Sequence, residues 1–314
     1  MEKPLVGIST CLLGENVRYD GGHKLDRYLR DVLGRFVDYV PVCPEVECGL
    51  GVPREAIHLE EAGGSIRLVG RKSGTDRTPQ MNRWIRKRLG ELAGLPLCGF
   101  VFRAKSPSSG LYRIAVHRET GVTRDGTGLF AGAFTKAFPL LPVEEDGRLN
   151  DAGIRENFVE RIFVMHRWHE LCGGRRSMSG LMEFHAAHKY LIMAHCPGTL
   201  KRLGAFLAGA KGTPVAKVYD AYFEQFITAL GRKATVRKTT NVLQHIEGYF
   251  KKDLTPDEKS ELGELIEDYH RELVPLVVPV TMLNHYVRKY GREYLAKQVF
   301  LNPHPMELML RNHV

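Results

Sequence analysis

Short apolar runs and amphipathic stretches alternate over the first 150 residues. Apolar runs rich in β-branched and aromatic residues predict strands at residues 5–10, 36–42, 65–69, 98–102 and 114–116. Apolar residues spaced three and four apart predict helices at residues 25–33, 76–93 and 128–138. Because strands and helices alternate in this way, the sequence predicts an α/β domain with a mostly parallel sheet.

The pattern changes after residues 139–150, a stretch of prolines, acidic residues and glycine that is typical of a domain boundary. Beyond it strand signals fade. Helical spacing predicts helices at residues 150–171, 179–194, 199–207, 214–230, 238–250, 255–271 and 274–289. We therefore predict two domains, an α/β domain over residues 1–147 and an all-α helical domain over residues 148–314.

The composition is that of an ordinary globular protein, with 43% hydrophobic and 26% charged residues among 314. The first residues show no signal-peptide pattern, and the most apolar later run, residues 273–283, is interrupted by Pro275 and Pro279. We expect a cytoplasmic protein without a membrane partner. In a reducing compartment, clustered cysteines favour metal binding or catalysis over disulfides.

The formal net charge is +9, and basic residues exceed acidic ones in both halves of the chain. An excess of this sign favours polyanionic partners such as nucleic acid through counterion release. The alternative is that the charge serves only solubility.

Three cysteines follow predicted strands. Cys11 follows the first strand, Cys43 follows the second, and Cys48 comes five residues later. Because ligands gather beyond the carboxyl ends of parallel strands, these thiols are predicted to meet at one edge of the sheet, together with Glu45 and Ser106.

Cys98 differs because it begins its strand. Five residues of strand place it about 16 Å from the carboxyl end. We therefore expect it near the opposite edge, and we favour Cys48 as the third thiolate.

Three thiolates without a fourth ligand indicate an iron–sulfur cluster rather than structural zinc, which normally takes four ligands. Such a cluster leaves one iron open as a Lewis acid for a soft atom such as sulfur. The alternative is that these cysteines are small buried hydrophobic residues, which is the better interpretation for Cys172 and Cys196 in the helical part.

Three further side chains could take part in chemistry. Glu45 could move protons to or from a substrate or water, and the turn that contains Ser106 and Ser109 could hold a planar heterocycle. A solvated loop acid and a plain turn are the alternatives.

The helical part carries candidate contacts for a polyanion. Cations next to aromatic residues suit phosphate contact combined with base stacking. The predicted RNA contacts are Lys189, Arg232, Lys233, Arg237, Lys238, Tyr249, Lys251 and Lys252. The alternative is a solvated basic surface.

Several strings in the chain resemble known families. STCLLGENVRYDG at residues 9–21, CPE at 43–45 and KSPSSG at 105–110 are together similar to the thiouracil desulfidase (TudS-like) family, over residues 1–145. FHAAHKY at 184–190, HIEGYF at 245–250 and LRN at 310–312 resemble the YbgA-like helical domain. The combination resembles the long RudS desulfidases, which remove sulfur from 4-thiouridine in tRNA.

The resemblance implies a [4Fe-4S] cluster held by three cysteines, whose free iron takes the thiocarbonyl sulfur while water replaces it at carbon. Cys11 and Cys43 match ligand positions, Glu45 matches the acid/base and Ser106 matches the active-site serine. Short members of the family have cysteine where this chain has Ser109, so we assign the third ligand to Cys48 by inference. We also expect Ser109 and Arg18 to contact the substrate.

The sequence therefore predicts a tRNA 4-thiouridine desulfidase. Two alternatives stay open. One is a desulfidase of free thiouracil whose helical domain serves dimerisation, and the other is a non-enzymatic iron–sulfur sensor that binds nucleic acid.

Overall fold

The computed structural model describes residues 2–313, which divide into two compact units after Asp151. The predicted domain boundary lies a few residues earlier, after residue 147. The first unit is α/β, with strands β1 (Leu5–Ser9), β2 (Asp38–Val42), β3 (Ile57–Ala62), β4 (Ser65–Gly70), β5 (Leu97–Phe102), β6 (Ile114–Arg118), β7 (Gly121–Gly126) and β8 (Val143–Glu145). Its helices are α1 (Pro44–Glu47), α2 (Thr78–Ala93) and α3 (Leu129–Ala137).

The main sheet is parallel throughout and has the strand order β2-β1-β5-β8. The chain runs from β1 to β2 on one side of β1 and returns to β5 on the other. This reversal of strand order opens a crevice beyond the carboxyl end of β1, where ligands bind in sheets of this kind. The predicted parallel sheet is confirmed.

A second sheet has the order β4-β3-β6-β7 and is antiparallel except between β3 and β6. The sequence predicted only parts of it, at residues 65–69 and 114–116. Two of its strands were missed because β3 and β7 are largely polar and lack a continuous apolar run. The predicted helix at 25–33 is instead a π turn over Tyr28–Val32, followed by a 3-10 turn over Leu33–Arg35.

Aromatic side chains fix the packing beside the crevice. The rings of Phe100 and Phe102 on β5 stack at 4.1 Å between centroids, and Phe130 and Phe134 on α3 pack against them. A Cβ on Gly7 of β1 would lie 2.1 Å from the Phe100 ring, so glycine is required there. This packing fixes the position of α3 against β1 and β5.

The second unit is helical, as predicted. It contains α4 (Ala152–Gly173), α5 (Met178–His195), α6 (Pro197–Ala208), α7 (Val215–Leu230), α8 (Val236–Glu247), α9 (Pro256–His270), α10 (Val277–Lys289) and the short α11 (Glu293–Ala296). Thr255 and Glu258 form a capping box at the start of α9. None of the helices within residues 2–313 combines the length and apolar composition needed to span a bilayer.

Candidate functional site

A cavity of about 320 Å³ lies at the carboxyl end of the main sheet. The register explains its position: Ser9 pairs with Val42, so the residues that follow β1 and β2 emerge side by side. Six residues predicted from the sequence line this cavity, namely Cys11, Arg18, Cys43, Glu45, Ser106 and Ser109.

Cys11 and Cys43 present two buried thiols to the cavity. Cys11 lies in a 3-10 turn directly after β1, and Cys43 caps the amino end of α1. Each residue is 8% exposed. Burial raises the pKa of the Cys11 thiol to about 11, and burial together with the Glu45 carboxylate raises the pKa of Cys43 to about 12. Both residues are therefore protonated thiols at neutral pH unless a cation displaces the protons.

Glu45 is held by donors on both of its oxygens. Ser108 donates to Oε1 at 2.5 Å, and the Ser106 hydroxyl lies 3.4 Å from the same atom. The Arg54 guanidinium lies 3.3 Å from Oε2 and also donates to the Val17 carbonyl at 3.0 Å. The carboxylate is thus fixed in one orientation beside the Cys43 sulfur, 3.7 Å from Oε2.

The turn at residues 106–110 orients its serines through the backbone. The amide of Ser109 donates to Ser106 Oγ at 3.2 Å, and the amide of Gly110 donates to the Ser106 carbonyl at 2.8 Å. The start of α3 packs on this turn, since a Cβ on Gly128 would lie 2.6 Å from the Ser108 carbonyl. The buried Ser109 side chain is therefore presented to the cavity by a rigid turn.

Cys48 is not among the residues that line this cavity, so the structure gives no support to the prediction that it supplies the third thiolate. Pro44 to Glu47 form a helical turn, with the Cys48 amide bonded to the Pro44 carbonyl. The Cys48 sulfur contacts the Glu45 carbonyl and lines a separate depression beside Trp84. Successive residues rotate by about 100° in a helix, so a residue five positions after Cys43 lies on another face.

Cys98 lies where the sequence predicts. Leu97 pairs with Leu5 at the amino end of β1, which places Cys98 at the edge opposite the cavity. Across residues 2–313, no three His, Cys, Asp or Glu side chains are grouped to hold a single metal ion.

The cavity is strongly basic. Its lining contains Arg18, Arg54, Arg71, Arg103 and Lys105 against the single acid Glu45. Arg103 is paired with Asp146, which also accepts from the amide of Ala104 at 2.8 Å. Such an excess of cations favours an anionic or electron-rich ligand.

Two residues important for this site were not predicted from the sequence. Arg54 and Ser108 both act on Glu45. Ser108 lies within the quoted KSPSSG string, so its position was a usable signal. Arg54 carries no such signal, because only folding of residues 49–54 brings it back to α1.

The predicted RNA contacts form two separate groups in the second unit. Arg232, Lys233, Arg237 and Lys238 lie at the amino end of α8, whereas Tyr249, Lys251 and Lys252 follow its carboxyl end. Twelve residues of helix separate the groups by about 18 Å. Lys189 belongs with the second group, because its neighbour Tyr190 lies beside Tyr249. Lys238 already makes a hydrogen bond within the protein, since its Nζ donates to the His195 carbonyl at 2.9 Å.

Two family profiles match separate parts of the chain. Residues 6–146 match the family described as 2-thiouracil desulfurase. Residues 189–305 match DUF1722, a family described as of unknown function.

Individual relatives cover about half of the chain each. The protein described as uncharacterized protein YbgA of Escherichia coli (strain K12) is 29% identical over 153 residues, which are 48% of this chain and 90% of YbgA. The solved structure described as the [4Fe-4S]-dependent thiouracil desulfidase TudS is 32% identical. Its match covers 48% of this chain and 95% of that one, with a TM-score of 0.39.

Proposed function

We propose that this chain removes sulfur from 4-thiouridine in tRNA, because residues 6–146 match the 2-thiouracil desulfurase family and the second domain is similar to YbgA. The observation that carries the proposal is the cavity in which Cys11, Cys43 and Glu45 meet. The overall reaction exchanges C=S for C=O. Water supplies the oxygen, sulfur leaves as sulfide, and no electrons are transferred.

The proposed cofactor is a [4Fe-4S] cluster, and the donors of the cavity fit it. Cys11 and Cys43 are thiols of the kind that hold such clusters, and both line the cavity of about 320 Å³. The Ser109 hydroxyl lines the same cavity, 3.4 Å from the Ser108 hydroxyl. We therefore propose Cys11, Cys43 and Ser109 as the three holding residues, which gives Ser109 this role in place of the substrate contact expected from the sequence.

When bound, the cluster supplies an iron with a free coordination position, which acts as a Lewis acid toward the thiocarbonyl sulfur. Glu45 takes a proton from the attacking water and returns it to the leaving sulfur. Ser108 and Arg54 keep the carboxylate aimed at the space beside Cys43. The Ser106 hydroxyl lies 3.4 Å from Oε1 of Glu45, the oxygen that also accepts from Ser108.

Arg18 and the other cations of the lining bind the substrate in this proposal. A nucleotide within RNA carries phosphates next to its base, and the basic lining is complementary to them. The basic groups at both ends of α8 supply further phosphate contacts.

A second candidate function is the desulfuration of free thiouracil, which the description of the matched family favours. The two candidates differ in which residues of the protein bind the substrate. A tRNA substrate requires the cations of both domains, whereas a free base requires the cavity alone.

The experiment is anaerobic reconstitution followed by parallel assays on thiolated tRNA, 4-thiouridine and 2-thiouracil. We expect sulfide release, and loss of near-ultraviolet absorbance, to be fastest on tRNA and to slow as salt concentration rises. Faster turnover of 2-thiouracil, without salt dependence, would select the second candidate. Salt-dependent tRNA binding without any sulfide release would select the non-enzymatic sensor.

A further inference from the structure

An exposed pair of stacked tyrosines lies in the second unit. The rings of Tyr249 and Tyr294 are nearly parallel, at 19°, with centroids 5.7 Å apart. They are 41% and 39% exposed, which is high for residues of this size. Tyr249 lies in the 3-10 turn after α8, and Tyr294 lies in α11. Tyrosine is enriched at interaction surfaces, because its ring is apolar and its hydroxyl is polar.

Contacts with the rest of the second unit hold Tyr249 and Tyr294 in place. The side chains of Tyr190 and Tyr294 both interact with that of Tyr249, and Tyr190 on α5 is buried. The segment after α11 is tied to α5 because Gln298 Nε2 donates to the Ala186 carbonyl at 2.9 Å. The rings are therefore positioned before any ligand arrives, which lowers the entropy cost of binding.

Several cations lie close to the two tyrosines in the sequence. Lys251 and Lys252 follow Tyr249 and are exposed, and exposed Lys297 follows α11. Lys189 Nζ lies 5.4 Å from the centre of the Tyr190 ring. The acidic residues nearest in sequence are Glu247, Asp253 and Glu293, and Asp253 is paired with Arg292. The surface thus combines a flat aromatic face with an excess of positive charge.

We propose that Tyr249 and Tyr294 form a stacking platform for an unpaired nucleobase of the RNA substrate, with the neighbouring lysines contacting its phosphates. Every base presents a flat face to an aromatic ring, and a cationic surround suits the attached phosphates. A base in a duplex is already stacked on its neighbours, so the platform selects single-stranded nucleotides. The proposal rests on the proposed function in that it takes RNA as the partner.

The test compares two RNA probes on the reconstituted full chain, a short single-stranded oligouridine and a blunt duplex of the same length. Tyr249→Ala and Tyr294→Ala are each expected to weaken single-strand binding about tenfold and to leave duplex binding unchanged. Tyr249→Phe and Tyr294→Phe keep the rings and should retain binding. Tyr112→Ala is the matched control, because Tyr112 is also exposed, at 44%, but lies in the first unit.

Replacing a neighbouring lysine should change the binding of the two probes in a different way from replacing a tyrosine. Lys252→Gln should weaken both probes and reduce the slope of log affinity against log salt by about one. Equal losses on both probes for the alanine variants, or no loss on either, overturn the platform. Thermal melting by circular dichroism confirms that the variants remain folded.

Sulfide release from the free nucleoside 4-thiouridine, measured in parallel, separates this proposal from the proposed function. Normal release with unchanged single-strand binding overturns the platform alone. Absence of release from every thiolated substrate overturns the proposed desulfidase activity, whatever the binding data show.

Discussion

The sulfur of Cys43 lies 3.7 Å from Oε2 of Glu45. The two residues are two positions apart in the sequence. Cys43 directly follows β2, and Glu45 lies in the first turn of α1. A single short connection therefore fixes the distance between a thiol and a carboxylate. Anything held by the thiol is within reach of the acid, which links the holding of a cofactor to proton transfer.

Glu45→Gln tests the acid. Gln keeps a similar shape but cannot accept a proton at neutral pH, so we expect sulfide release to fall about a hundredfold. The iron content should stay close to that of the unchanged protein, because Glu45 is not among the proposed holding residues. A parallel loss of iron would instead make Glu45 a ligand.

The cysteine set is tested by single alanine variants and iron analysis. Cys11→Ala and Cys43→Ala should lose most of the iron and all sulfide release, because each thiol lines the cavity. Cys48→Ala is the matched control and should keep both, since Cys48 lines a different depression. Iron loss in Cys48→Ala would contradict the assignment of the site.

Ser109→Cys replaces the proposed oxygen ligand by a thiolate. We expect higher iron content after reconstitution and slower loss of iron to a chelator, because thiolates suit iron–sulfur clusters better than hydroxyls do. Ser109→Ala should retain less iron than the unchanged chain. Equal iron in all three proteins would show that residue 109 does not contact the cluster.

A buried ion pair in the second unit makes its stability depend on pH. Glu160 Oε1 lies 2.7 Å from His195 Nε2, and both residues are almost fully buried. Burial alone would lower the pKa of His195, but the Glu160 carboxylate and the Arg232 carbonyl reverse this and raise it. For Glu160, burial acts to raise the pKa, and His195 and Arg311 overcome it, so the pKa is lowered.

The sign of the pH effect follows from these directions. A raised histidine pKa gives stability that is complete below about pH 6.5 and is lost as pH rises through the folded value. A lowered glutamate pKa gives stability that is complete above about pH 4.3 and is lost as pH falls through the folded value. The pair therefore stabilises most between about pH 4.3 and 6.5.

Urea unfolding of the full chain and of His195→Gln at pH 6 and pH 9 measures this contribution. We expect the variant to be less stable by about 3 kcal/mol at pH 6, because the buried Glu160 loses the closer of its two cations and keeps only Arg311, and the difference should shrink at pH 9. Comparing the two proteins cancels other buried histidines, such as His188, whose pKa burial lowers to about 3. A difference that does not change with pH would show that His195 is neutral when folded.

The sequence by itself determined the main elements and half of the site. Apolar runs and helical spacing located β1, β2, β5, α2 and the helices α4 to α10, because burial on one or both faces leaves a periodic pattern in the chain. The parallel order of strands followed from their alternation with helices. That order was enough to bring Cys11, Cys43, Glu45 and Ser106 to one edge.

Tertiary structure alone decided the rest. The loop after Cys43 forms a helical turn, which rotates Cys48 away from the cavity, and spacing in the sequence does not reveal the direction of a side chain after a turn. Arg54 reaches Glu45, and Tyr294 reaches Tyr249, across 9 and 45 residues of chain. Contacts of that kind arise from packing between elements, and no local pattern of apolar and polar residues encodes them.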